Sequence, residues 1–291
     1  MLDFYTPTLE DYQWIKKLTY NSGQIGCDIS FATTYLWRNV YDIRVCNHDG
    51  VFYKAYFEGD KVSGYTFPIG DKPPVDMLKP LMQDASERNL KPLIGMLNKT
   101  NLEILTHLYP DMFEIKQQDS DADYIYSQKN LSLLQGKKFH AKRNHISKFK
   151  RNNPDYEYKN LDESNFEDAY FVAHKWHMNN ISADKSELMV IREALDNFSQ
   201  LELMGGVLYV NSRPVAMTIA SKINDSVCDV NFEKAVDVDG AYAVINNEFA
   251  KSKPQFLQFN REEDLGLEGL RKSKLSYYPD KILMKYSAIM K

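Results

Sequence analysis

The sequence predicts an α/β fold (α+β in its layering) made of two similar units with mixed, mainly antiparallel sheets. Three observations carry this. The chain has 291 residues, enough for about two domains. Short β-rich runs alternate with helical periodicity along its length. A tight hairpin followed by strand, helix, strand, helix and strand occurs once in each half.

In the first half, Asp42 to Val45 and Val51 to Phe57 read as strands around the turn Asn47-His48-Asp49-Gly50. Glu58-Gly59-Asp60-Lys61 turns the chain into a strand from Val62 to Pro68. A helix runs from Pro74, a residue favoured in a first turn, to Asn89. Pro92 to Leu97 is a strand and Leu102 to Leu108 a helix; Met112 to Lys116 and Tyr124 to Tyr126 are strands. In the second half, Gly206 to Val210 and Val215 to Ser221 flank Asn211-Ser212-Arg213-Pro214, and Val227 to Phe232 is a third strand. Ala241, Val244, Ile245 and Phe249 give the helix Gly240 to Lys251 its apolar spacing. Gln255 to Phe259, Asp264 to Ser276 and Ile282 to Ala288 complete the unit as strand, helix and strand. Val51-Phe52-Tyr53 aligns with Val207-Leu208-Tyr209, which suggests a duplication; coincidence of two common hairpins is the alternative. The expected division is 1–127, a basic linking helix 128–154, and 155–291.

Charge and cysteine usage exclude several classes. With 36 Lys and Arg against 40 Asp and Glu, the net charge of −4 rules out a globally basic nucleic-acid binder but leaves room for a basic patch. Cys27, Cys46 and Cys228 are odd in number and lack metal-ligand spacing, so neither a disulfide framework nor a metal site is expected. No run approaches the roughly 18 apolar residues of a membrane span, and MLDFYTPTLE does not read as a signal peptide. The expected location is cytoplasmic.

Two segments stand out. Leu131 to Asn153 reads as a helix ended by Pro154, and between Lys137 and Arg151 it carries seven Lys or Arg and no acidic residue. Phe139, Ile146 and Phe149 share one stripe of it; Lys142 lies within that stripe and Arg143 at its edge. A cation near a packing surface needs an anionic partner, either an internal carboxylate or a ligand phosphate. Lys137, Lys148 and Arg151 face outward, as a solvated surface or as contacts to RNA phosphate or an acidic headgroup.

The second segment is Asn260-Arg261-Glu262-Glu263-Asp264-Leu265-Gly266-Leu267-Glu268-Gly269-Leu270-Arg271-Lys272-Ser273-Lys274. Asp264 suits a helix N-cap. Gly266 and Gly269 each cost about 1 kcal/mol against Ala in a helix, which suggests close approach of a ligand or another backbone. Arg271 and Lys274 lie one turn on, on neighbouring positions of one face. Tight helix packing with surface ion pairs is the alternative.

These segments, with Gly136-Lys137-Lys138-Phe139-His140-Ala141-Lys142-Arg143-Asn144-His145 and the run to Tyr278-Pro279, resemble the phosphatidylglycerol lysyltransferase C-terminal-like family. The resemblance implies two tandem GNAT-type (acyl-CoA N-acyltransferase) folds, similar in architecture to the Fem aminoacyltransferases. It implies acyl or aminoacyl transfer to an amine or hydroxyl of a small molecule or lipid, with aminoacyl-tRNA or acyl-CoA as co-substrate, tRNA as a partner, and no dedicated cofactor or metal. In the GNAT frame, acetyl-CoA users carry Q/R-x-x-G-x-G/A before the central helix. Val236-Asp237-Val238-Asp239-Gly240-Ala241 stands there instead, with one glycine and two carboxylates that repel pyrophosphate. This favours a donor other than acetyl-CoA. The frame puts Glu233 where a general base sits, although an ordinary strand-end carboxylate is the alternative. Glu262 would recognise an amine or act as base, and Tyr277 or Tyr278 would donate a proton. Lys142, Arg143, Asn144, Asn260, Arg261, Asp264, Arg271 and Lys274 would bind substrate, with Arg261 suited to a carboxylate or phosphate. Trp176 and His177 share a helix with Phe171 and are expected to pack. A non-catalytic RNA- or ligand-binding module on the same scaffold is the competing class.

Overall fold

The computed structural model describes residues 1–180, 184–236 and 238–291. In chain order the first elements are α1 (Tyr12–Asn21), α2 (Phe31–Leu36), β1 (Ile43–His48), β2 (Val51–Glu58), β3 (Lys61–Thr66), α3 (Pro74–Glu87), β4 (Leu93–Leu97), α4 (Lys99–Leu108) and β5 (Phe113–Ser127). Then come α5 (Gln128–Leu133), α6 (His140–Asn152), β6 (Tyr156–Asn160), α7 (Phe166–Asn179), α8 (Ser186–Asp196), β7 (Met204–Val210) and β8 (Arg213–Asn224). The chain ends with β9 (Val227–Ala235), α9 (Ala241–Ser252), β10 (Gln258–Asn260), α10 (Glu268–Leu275) and β11 (Lys281–Met290). Among the described residues no helix is long and apolar enough to cross a membrane.

The chain packs as two compact units. The first holds residues 1–123, 263–271 and 282–291, and the second 124–262 and 272–281. This departs from the contiguous division expected from the sequence. Tyr286 and Ile289 of β11 pair with Leu97 and Leu93 of β4, which places the last strand in the first unit. The basic helix is not a linker. Phe139, Ile146 and Phe149 are buried in the second unit's core with Val244 and Phe249 of α9, where each buried apolar side chain is worth about 1.5–3 kcal/mol.

Strand order is β1-β2-β3-β4-β11-β5 in the first unit and β5-β10-β9-β8-β7-β6 in the second, β5 running through the boundary. In each unit a three-strand antiparallel meander leads through a helix to one parallel neighbour: β3 beside β4 across α3, and β9 beside β10 across α9. The duplication is therefore visible as element order. Its register differs from the sequence alignment, because Val51 lies on β2, the counterpart of β8, whereas Val207 lies on β7. Both hairpins turn through two residues with positive φ, Asp49-Gly50 (58° and 75°) and Asn211-Ser212 (50° and 61°), as a tight two-residue turn requires.

Other departures have local causes. The helix expected over 131–153 breaks, because Leu134 (φ 50°) and Gly136 (φ 89°) leave the right-handed region. Arg143 holds that break by donating to the carbonyls of Leu134 and Gly136. The strands expected at 112–116 and 124–126 are one strand, β5. The helix expected from Asp264 starts at Glu268, since Glu262, Leu265 and Gly266 all take positive φ.

Gly240 (φ 87°) precedes α9, and a Cβ there would lie 3.2 Å from Phe149 Cβ and 3.3 Å from the His145 carbonyl oxygen. Gly240→Ala is expected to cost about 1–3 kcal/mol through left-handed strain and crowding of α6, read as a lower urea midpoint. An unchanged midpoint would show that α6 moves freely at this contact.

Candidate functional site

The second unit's site is set by where its parallel strands part. β10 pairs with β9 only from Val227 to Asp229, while β9 continues to Ala235. A register shift against β8 separates Phe232 from Asp229. The side chains beyond this bulge are re-aimed, a usual consequence of an inserted residue. Glu233 meets Asn246 of α9, whereas Asn231 Nδ2 bonds Asp229 and Glu262.

Arg261 follows β10, and its Nη2 lies 2.8 Å from Glu233 Oε1; the two side chains are 11% and 10% exposed. Asn246 Nδ2 donates to Glu233 Oε2 at 3.2 Å, so both carboxylate oxygens accept. The guanidinium carbon sits 5.0 Å from the Tyr277 ring centre and 5.7 Å from that of Tyr126. Lys142 Nζ, from α6, sits 3.8 Å from the centre of the Tyr277 ring. Burial, and then repulsion from Arg261, push its amine down to about 8, against attraction by Glu233. Burial raises the Tyr277 hydroxyl and makes it a weaker acid. Lys274 Nζ donates to the Arg261 carbonyl at 2.5 Å and fixes that backbone.

Among the described residues, three buried polar atoms around Glu233 have no hydrogen-bond partner: Arg261 Nη1, Asn246 Oδ1 and the hydroxyl of Thr218, the residue opposite Glu233 on β8. A buried guanidinium N–H without an acceptor costs about 1–3 kcal/mol or more. A ligand, an ion or a water molecule can supply the missing acceptor.

Lys142, Glu233, Arg261 and Tyr277, and through the backbone Lys274, are thus brought together. The other expected site residues are not in this cluster. Arg143 ties its own turn. Asn144 is exposed, and its nearest polar contact is His140 Nδ1 at 3.4 Å. Asn260 is fully buried and accepts from the Glu262 backbone N–H at 2.7 Å, fixing the turn. That turn sends consecutive side chains apart: Arg261 to Glu233, Glu262 to Asn231.

Asp264 and Arg271 belong to the first unit and form a two-pronged ion pair at 2.6 and 3.0 Å, with Asp264 also accepting from Gly266 N–H. Asp264 is therefore an ion-pair partner rather than the N-cap of α10. Gly266 serves the turn, and Gly269 faces open space, so no other backbone approaches either glycine closely. Tyr278 packs edge-on to Phe139. His177 is buried, with Nε2 3.0 Å from Glu187, whereas Phe171 on the same helix is 51% exposed.

Sequence reasoning missed Asn246 and Thr218. Asn246-Asn247 within the buried face of α9 was the available signal. Asn247 uses it structurally, donating to the Leu131 and Ser132 carbonyls.

The loop before α9 bears on the donor. Asp237 lies outside the described residues. Asp239 pairs with Lys148 at 2.7 Å, and α6 covers Gly240 through His145 and Phe149. Gly240 at the start of α9 thus has α6 on one side, while Asp239 and Tyr242 beside it are exposed.

The model of the family described as phosphatidylglycerol lysyltransferase, C-terminal, matches residues 21–289. The chain is similar to a conserved protein of unknown function from Bacteroides thetaiotaomicron VPI-5482, with 37% identity, TM-score 0.94 and all of both chains covered. The C-terminal domain of a candidate lysylphosphatidylglycerol synthetase from Agrobacterium fabrum gives 12% identity and TM-score 0.72 over 97% of this chain and 92% of that one. FemX gives 8% identity and TM-score 0.60 over 99% and 98%. At these identities the last two likenesses show the fold alone, the expected pair of GNAT-like α/β units. A comparison with curated proteins gives no match.

Proposed function

The chain belongs to the phosphatidylglycerol lysyltransferase C-terminal family, and from that premise we propose that it transfers an acyl or aminoacyl group at the Lys142–Glu233–Arg261 cluster. The observation that carries the reading is the partnerless Arg261 Nη1, buried beside an amine held at about 8. In this mechanism the acceptor's amine or hydroxyl attacks the ester carbonyl of the donor. Arg261 Nη1 donates to the oxygen as it gains charge, a role worth about two to three orders of magnitude in rate. Lys142, in its neutral form, takes the acceptor's proton and returns it to the departing ribose oxygen. Glu233 holds the guanidinium in place; with both oxygens engaged it is a positioning residue here rather than the base. Tyr277 supplies a platform for both cations.

Aminoacyl-tRNA is the proposed donor. Val236-Asp237-Val238-Asp239-Gly240-Ala241, with one glycine and two carboxylates where acetyl-CoA users carry a pyrophosphate loop, disfavours acyl-CoA, and the exposed Lys137, Lys138 and Arg151 leave phosphate contacts open. The test is incubation with a mixture of charged tRNAs while deacylation and product mass are followed. Deacylation that depends on Arg261 supports transfer. Tight tRNA binding without deacylation would replace it with the non-catalytic module.

Lys142 gives a pH prediction. Transfer should rise with pH through about 8 and level off, and Lys142→Met should remove that rise. Stability carries the opposite sign. The folded pKa lies below the ordinary 10.5, so the protonated amine destabilises the fold below about 8, and the deficit fades between 8 and 10.5. Lys142→Met should therefore melt higher at neutral pH and converge with the wild type near pH 10. A pH-independent difference would remove Lys142 from both roles.

A further inference from the structure

The first unit has a cavity where its own parallel strands part. β3 and β4 are last paired at Thr66 and Gly95, and Met96 follows with left-handed backbone (φ 52°). A non-glycine residue held there costs about 1–3 kcal/mol, and such strain clusters at ligand sites. The cavity holds about 270 Å³ including its open mouth, so it suits a ligand smaller than most that fill protein pockets. Lys54, Asp28 and Thr66 are its polar lining used here, and Phe52, Ile69 and Met96 its apolar lining. On the corresponding strands of the second unit stand Thr218 and Glu233. Here they are replaced by Lys54 on β2 and Thr66 on β3, whose hydroxyl donates to the Lys54 carbonyl at 3.4 Å.

Lys54 is 3% exposed. Among the described residues its one hydrogen-bond acceptor is the Asp28 carbonyl oxygen, whereas an ammonium has three N–H groups to place. Burial pulls its pKa below the ordinary lysine value, against attraction by Asp28 and with repulsion from Lys285. A buried cation held in this way gains from an anionic partner. Asp28 gives one carboxylate oxygen to Lys285 at 3.1 Å, and its other oxygen has no partner among the described residues. A simple anion would be repelled by Asp28 and a simple amine by Lys54; a zwitterion matches both.

We propose that this first-unit cavity binds a small apolar α-amino acid, its carboxylate on Lys54 Nζ, its ammonium on Asp28 and its side chain among Phe52, Ile69 and Met96. The proposal stands on the first unit alone and does not rest on the transferase reading.

The test is calorimetric titration of the full chain at pH 7 with valine, with isobutylamine, which lacks the carboxylate, and with isovalerate, which lacks the amine. Valine should bind at least about tenfold more tightly than either, because each analogue forfeits a charge-assisted hydrogen bond. Lys54→Met should lower valine affinity about tenfold or more. If Lys54→Met does not fold, Met96→Gly, which relieves the left-handed backbone and widens the cavity, should raise leucine affinity relative to valine at least about threefold. Either analogue binding as tightly as valine, or valine affinity unchanged in Lys54→Met, overturns the proposal. So does an unchanged ratio of leucine to valine in Met96→Gly. Absence of binding by all three compounds also overturns it, since the cavity would then hold water only.

Discussion

Replacing Arg261 by Gln is expected to lower transfer by about two to three orders of magnitude, the loss typical of one oxyanion donor. It is also expected to destabilise the second unit by about 3–5 kcal/mol, because Glu233 would stay buried with Asn246 as its remaining hydrogen-bond donor. The two effects have separate origins and can be separated. Glu233→Gln together with Arg261→Gln removes both charges of a pair whose side chains are about nine-tenths buried. Replacing a whole buried pair is far cheaper than breaking it. The double variant should regain most of the lost urea midpoint and none of the lost transfer. Recovery of transfer with stability would make Arg261 a structural partner only. An alkaline rise in transfer that survives Lys142→Met and is lost in Glu233→Gln would instead place the base on the carboxylate.

What was legible from sequence follows from the range of the forces involved. The hairpins, α3, β4 and α9 were readable because turn chemistry and amphipathic spacing are local. The burial of Lys142 was readable from its place inside the Phe139–Ile146–Phe149 stripe, but among the described residues it makes no ion pair with the expected carboxylate; its amine sits over the Tyr277 ring, with Arg261 opposing its charge and Glu233 favouring it. Asp264 was expected to cap a helix, but positive φ at Leu265 and Gly266 delays α10 to Glu268, and Asp264 pairs with Arg271. That Glu262 turns to Asn231 while Arg261 turns to Glu233 follows from a single left-handed residue (φ 55°), which spacing cannot reveal. No element is expected over the first 36 residues, although α1 and α2 form there. The placement of β11 in the first unit is a long-range pairing with β4 and has no local signature.

The first unit holds a cluster that sequence reading missed entirely, and it yields the other large effect. Lys285, 3% exposed on β11, lies 2.7 Å from Asp123, 3.1 Å from Asp28 and 3.4 Å from Cys27 Sγ. Asp123 also accepts from the Cys27 backbone N–H at 2.9 Å and from its thiol at 3.2 Å. Glu263 completes a set in which the Cys27 sulfur and single oxygens of Asp123 and Glu263 lie within 4.8 Å of one another. The ammonium thus supplies positive charge among three acidic side chains, and their attraction outweighs burial to hold its pKa well above 10.5. A pKa raised in this way contributes stability that persists through neutral pH and is lost only in strong alkali. Lys285→Met should strip that charge and cost about 3–5 kcal/mol, since Asp123 would remain buried without its cation. Adding Asp123→Asn should restore part of the loss, because residues in contact are not additive. Urea unfolding of the three variants measures the coupling directly. A Lys285→Met cost below about 1 kcal/mol, the range of exposed pairs, would mean that water reaches the cluster and that β11 is held by its pairing with β4 alone.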